Sequence, residues 1–284
     1  MKDLFDGLDS AVVQNLSERP EAFADEQYVK KAAFTAQQTF TGGGVFDARS
    51  RTPINVPLTP AMIYALNLGL LSEYFETELY SRGLNVSPLI PNELRQVFVR
   101  LLLNEVMQRE ILLTVLGNNA IIKPNFDFTA GRRLFTVFSQ FDSFSGLAQS
   151  AEDLGVRAYK GQAPNVMADD FVLTTALRFH SVEARHASEL RRIRGQKGWI
   201  TLNSRGNLPA FTQPIYDGEE LTTQAGIDLV TVTGLPAATV SEAFDEPLTG
   251  PQVLNIVRLF IRGAFDFPPA PSNFSDDVKT REEL

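Results

Sequence analysis

Residues 73–80 read EYFETELY and residues 152–159 read EDLGVRAY, each opening on a glutamate and closing on a tyrosine seven positions later. Each octet is followed by a second glutamate with a polar residue three positions on: Glu105 with Gln108, then Glu183 with His186. The two glutamates are 32 residues apart in the first copy (73 to 105) and 31 in the second (152 to 183). All four segments lie in long, mostly apolar stretches with helical periodicity. Residues seven apart on a helix are rotated by only about 20° and displaced by about 10 Å. Glu73 and Tyr80 therefore share a face, as do Glu152 and Tyr159. Residues three apart also share a face, so Glu105 with Gln108, and Glu183 with His186, each present two ligands to one point.

Working outward, the first helix is expected from Thr59-Pro60 to Gly83, with threonine as N-cap and proline in the first turn. The second is expected from about Pro91 to Gly117, the third from about Arg132 to Lys160 before Gly161, and the fourth from about Ala168 to Arg194 before Gly195. Each is roughly 35–40 Å long at 1.5 Å per residue. About seven residues join the first to the second and the third to the fourth, and short loops make antiparallel neighbours. The middle connection, NNAIIKPNFDFTAG at 118–131, spans roughly 45 Å when extended, enough to run the length of a bundle. Short, long, short describes two helical hairpins joined by one crossover.

Four such helices that aim Glu73, Glu105, Glu152 and Glu183 inward collect four negative charges in one core. Burying them uncompensated would cost many kcal/mol, and two divalent cations would neutralise them. Carboxylates with one imidazole suit iron first, with manganese or zinc as alternatives. Other titratable residues read differently. Glu76 is one turn from Glu73 and reads as a rim or surface acid before an additional ligand. His180 is six residues from His186, about 240° round the helix, and reads as a packed or surface histidine. Arg109 and Arg185 read as salt-bridge partners beside the ligands. The basic run RRIRGQK at 191–197 reads as a solvated last turn that complements the helix dipole.

The flanks are different in character. Residues 1–57 are polar and turn-rich and read as an N-terminal arm, with a short helix near 25–38. Residues 58–197 form the bundle, and 198–284 a C-terminal extension. Within it 200–248 has no helical period, IDLVTVTGL suggests a short strand, one further helix is expected near 251–262, and an extended tail closes the chain. The formal net charge of −8 argues against nucleic acid or an anionic membrane as the main partner. The chain has no cysteine, which excludes disulfides, thiolate nucleophiles and iron–sulfur clusters. No stretch is apolar and long enough to span a membrane. The N-terminus carries early acids and no apolar h-region, so the default compartment is the cytoplasm, or the exterior had a signal been removed.

SEYFETELY, NEVMQREIL, SAEDLGVRAYKG and RFHSVEARHASELR together resemble the ferritin-like domain of the desiccation-related protein family, a relative of ferritin, bacterioferritin and rubrerythrin. The resemblance covers about residues 58–197. It implies an all-α, ferritin-like four-helix bundle with a carboxylate-bridged di-metal site, and an association with stress or drying. It further implies that Glu73 and Glu152 are terminal ligands, that Glu105 and Glu183 bridge, and that His186 binds through a ring nitrogen. Gln108 stands where the related di-iron proteins usually place a second histidine. An amide oxygen is a weaker, neutral ligand, so two ions, one ion or none are all open. With iron bound, the expected chemistry is reduction of O₂ or peroxide, with Tyr80 and Tyr159 donating an electron or a hydrogen bond. The alternative is a non-catalytic structural or stress-protective bundle; a weaker one is a binding module built on 200–248. A homodimer is compatible with either of the first two.

Overall fold

The computed structural model describes residues 58–271. The expected N-terminal arm, with its helix near 25–38, and the end of the tail lie outside the described residues. Four long helices dominate: α1 (Pro60–Asn85), α2 (Arg95–Leu116), α3 (Phe141–Val166) and α4 (Asp170–Ile193). α1 pairs with α2, α3 with α4, and the two hairpins meet along α1 and α3. This is the all-helical bundle of two hairpins with a long crossover that the spacing predicts.

The helix starts follow local chemistry. Thr59 Oγ1 accepts from the Met62 amide at 3.2 Å and Pro60 occupies the first turn. Asp169 Oδ1 accepts from the Val172 amide at 2.8 Å. Such caps satisfy amides that have no partner inside the helix. Of the four expected stops at glycine, Gly117 and Gly195 lie at or just beyond helix ends, whereas Gly83 and Gly161 are overrun, because tertiary packing and not termination explains those two residues. A Cβ at Gly83 would overlap the Phe144 ring, and one at Gly161 would overlap the Leu248 carbonyl oxygen. α1 runs on to Asn85, and α3 passes Pro164 to Val166.

The third helix starts nine residues later than expected, at Phe141 (141 − 132 = 9). Asp127 Oδ1 accepts from the Thr129 amide at 3.1 Å and from its hydroxyl at 2.6 Å. Ala130 and Arg132 then take left-handed backbone conformations, φ 47° and 71°. Side-chain bonds to backbone of this kind compete with helix formation. The crossover is accordingly longer, residues 117–140, while only 167–169 join α3 to α4. Buried Asn67 fixes the crossover's start: its amide donates to the carbonyls of Ile63 (2.9 Å) and Asn119 (2.8 Å), and its Oδ1 accepts from the Ile121 amide (2.8 Å).

Further along, β1 (Asn125–Phe126) pairs antiparallel with β4 (Ile261–Arg262), tying the crossover to the C-terminal extension. Phe75 of α1 sits in the middle of this seam, with ring centroids 5.2 Å from Phe126, 4.9 Å from Phe128 and 5.2 Å from Phe260. The segment read as a strand gives only β3 (Ile227–Asp228), paired with β2 (Thr223–Gln224). The chain then enters the short helix α5 (Leu229–Thr233), because Asp228 Oδ1 caps the Val230 amide and Gly234 closes the turn at φ 68°. After α6 (Ala237–Ser241), the last helix α7 (Gly250–Val257) is shorter than expected, since a 3₁₀ turn at Arg258–Phe260 leads into β4.

The extension is fastened to α3 by buried charge. Arg157, 1% exposed, donates to the carbonyls of Glu246 (2.7 Å), Ile215 and Asp217 (3.1 Å) and pairs with Glu219 at 2.7 Å. Asp153 binds Arg191 through two bonds (2.6 and 3.2 Å) and accepts from Tyr216 at 2.7 Å. The run at 191–197 is therefore only partly a solvated turn: Arg192 and Lys197 are exposed, but Arg191 is buried, and Arg194 donates to the Asp142 carbonyl at 2.7 Å.

Candidate metal centre

The doubled pattern converges. Glu73, Glu105, Glu152 and Glu183 all have 0% exposure, and Gln108 and His186 5%. Glu105, Glu152, Glu183 and His186 each offer one atom to a group lying within 4.8 Å of one another. A second group, Glu73, Glu76 and Glu105, meets the same limit, so Glu105 belongs to both.

The tyrosines cross between the hairpins. Tyr159 of α3 donates to Glu73 Oε1 of α1 at 2.5 Å, and Tyr80 of α1 donates to Glu152 Oε1 of α3. Each octet's tyrosine thus holds the other octet's glutamate, as two antiparallel copies related by a local two-fold would require. Burial, reinforced by the charges of Glu152 and Glu73, pushes both phenols well above their usual range. They stay protonated, which is the form that can donate to a carboxylate.

His186 faces the cluster through Nδ1. That nitrogen makes an aligned hydrogen bond to Glu152 Oε2 at 3.2 Å. It also lies 2.7 Å from Glu105 Oε1, which nevertheless receives no aligned hydrogen bond. Two donors bonded at about 2.1 Å to one ion at a right angle sit roughly 3 Å apart without pointing at each other, and that contact has this character. On the ring's far side Nε2 lies 3.0 Å from Asn104 Nδ2. A partner on one ring nitrogen orients the other toward a metal. With Nδ1 as ligand, Nε2 would carry the proton, and rotation of the Asn104 amide by half a turn would bring its oxygen round to accept it.

Electrostatics set the demand for a cation. Burial above all, and then repulsion from neighbouring glutamates, raises Glu76, Glu105 and Glu183 well above the carboxylate range. Burial raises Glu73 to about 7 even with Glu105 beside it and the Tyr159 phenol donating to it. Glu73 Oε2, both oxygens of Glu76, Gln108 Oε1 and Glu183 Oε2 are buried without a hydrogen-bond partner. Ser72 offsets a little of the rise at Glu76 but makes no bond of normal geometry there. Unpartnered buried oxygens on this scale cost several kcal/mol unless an ion occupies the space between them. The donor set, carboxylates with one imidazole, fits divalent iron, manganese or zinc.

One expectation changes. Glu76, read as a rim or surface acid, is fully buried and joins the cluster, because α1 is enclosed by α2, α3 and the crossover. Gln108 donates Nε2 to Glu105 Oε2 and Glu183 Oε1, both at 3.1 Å, and keeps its Oε1 buried without a hydrogen-bond partner. Asn104 was not singled out by sequence reasoning; its place one residue before Glu105 was the available signal. His180 is a packed histidine, its Nδ1 3.0 Å from the Val156 carbonyl, and takes no part. Arg109 is buried and pairs with Glu110 at 2.7 Å. Among the described residues no helix is long and apolar enough to cross a membrane. Residues 61–196 match the family model described as Ferritin-like domain, so this part of the chain is a ferritin-like domain. No curated protein and no solved structure matches the chain.

Proposed function

We propose that this ferritin-like domain holds a two-ion carboxylate centre, with iron first and manganese or zinc as alternatives, and uses it to reduce O₂ or peroxide. The supporting observation is the set of buried oxygens without partners, gathered from two glutamate groups that share Glu105. In this reading Glu105 and Glu183 bridge, Glu73 and Glu152 are terminal ligands, and His186 binds through Nδ1. Bound iron would supply the electrons. The chain's own residues do the rest. Tyr80 and Tyr159 hold Glu152 and Glu73 in place by hydrogen bonds, and their phenolic protons lie next to the site where a reduced oxygen species would need one. The apolar helices exclude bulk water, which strengthens each electrostatic contact. A protective role under stress or drying is part of the same reading.

One observation favours a second reading, a bundle that has given up redox work. The Gln108 amide clamps Glu105 and Glu183 together without any ion. Metal analysis after expression in iron-supplemented medium separates the two. The first reading expects one to two ions per chain and Fe(II)-dependent oxygen uptake, both lost in Glu105→Ala. Metal well below one ion per chain, together with no oxygen uptake, overturns it and leaves the structural reading.

A further inference from the structure

The internal repeat contains a swap that the metal reading does not explain by itself. Three residues after the first helix's glutamate stands Glu76; three residues after its counterpart Glu152 stands Gly155. Three residues after the second helix's glutamate stands Gln108, whose counterpart in α4 is His186. The copy with the imidazole has glycine at the inward position, and the copy with the amide has a carboxylate there. Each choice has a spatial reason. A Cβ at Gly155 would lie 2.6 Å from Glu183 Oε2, so the missing side chain is the room that Glu183 uses. Glu76 is 0% exposed, neither oxygen has a partner, and it groups with Glu73 and Glu105 but not with His186. A protonated acid at that depth would still need an acceptor for its hydroxyl, and the structure offers none of normal geometry.

Resting on the two-ion reading, we infer that Glu76 is the ligand that replaces the missing imidazole at the second ion, making that position all-oxygen: Glu73 and Glu76 with the bridging Glu105 and Glu183. The two positions then differ in kind. The first, with His186, suits a borderline cation such as Fe²⁺ or Zn²⁺; the second suits a hard, oxygen-seeking cation such as Mn²⁺. The centre also carries five carboxylates, so two divalent ions leave one negative charge uncompensated, which favours higher-valent metal.

The test is anaerobic titration of the metal-free full chain with Mn²⁺, read by calorimetry and by electron paramagnetic resonance. Wild type is expected to bind two ions that are magnetically coupled, since bridged ions lie about 3.5–4 Å apart. Glu76→Gln, isosteric and one buried charge lighter, is expected to keep the fold by circular dichroism and to bind one uncoupled ion. Glu76→Gln combined with Gln108→His is expected to regain the second ion; failure to do so overturns the exchange of carboxylate for imidazole. Two coupled ions in Glu76→Gln overturn the assignment of Glu76 and leave the two-ion reading standing; saturation of wild type at a single ion overturns both. Binding of neither Mn²⁺ nor, in the same anaerobic titration, Fe²⁺ by wild type removes both.

Discussion

The tyrosines show how little of a residue's role its own helix reveals. Tyr80 and Glu73 lie on one face of α1, yet Tyr80 bonds Glu152 across the bundle, and Glu73 takes its bond from Tyr159. Removing one hydroxyl leaves a ligand free to rotate. Tyr159→Phe is expected to weaken Mn²⁺ binding by roughly tenfold to a hundredfold, the usual cost of losing a partner that orients a metal ligand. Helical circular dichroism should not change. Unchanged affinity would reduce Tyr159 to packing. Glu76 carries the same lesson: one turn from Glu73, it is compatible with the rim or the interior by spacing alone. The width of the enclosed face of α1 decides it.

At the scale of elements, caps are legible and packing glycines are not. Thr59 and Pro60 announce a helix start because the Thr59 bond reaches only three residues away and proline presets the first turn. Gly83 and Gly161 look like helix ends, but each gives room to a distant partner, the Phe144 ring and the Leu248 carbonyl. The two errors have one cause: a glycine that permits close approach is indistinguishable in sequence from one that permits a left-handed turn. Gly161→Ala is therefore expected to destabilise the protein by about 2–3 kcal/mol, as overpacking does, although alanine is the better helix former. Thermal unfolding measures it. A higher melting temperature would mean that the extension shifts freely and that Gly161 is an ordinary helix residue.

For the whole molecule the governing fact is charge held in a dry core. Glu73 has a folded pKa of about 7 against 4.5 unfolded. A raised carboxyl contributes stability that is complete below the unfolded value and lost as pH rises through the folded one; Glu76, Glu105 and Glu183 move the same way. Metal-free protein is thus expected to melt lower by on the order of 10 °C at about pH 8 than at about pH 5. Bound metal should reverse the trend, because it needs the ionised carboxylates. A melting temperature of the metal-free form that rises over this range would show the cluster to be compensated by other means.

The sequence by itself determined the four helices, their hairpin order and the inward convergence of Glu73, Glu105, Glu152, Glu183 and His186. These follow from helical period, cap chemistry and loop length, all of which act within a few residues or limit the reach of the chain. Only the tertiary structure decided that Glu76 joins them, that the tyrosines cross between hairpins, that Gln108 turns its amide nitrogen to Glu105 and Glu183, and that α3 starts at Phe141. Each of these depends on how one helix is rotated and packed against another, and on bonds between residues that are neighbours only after folding.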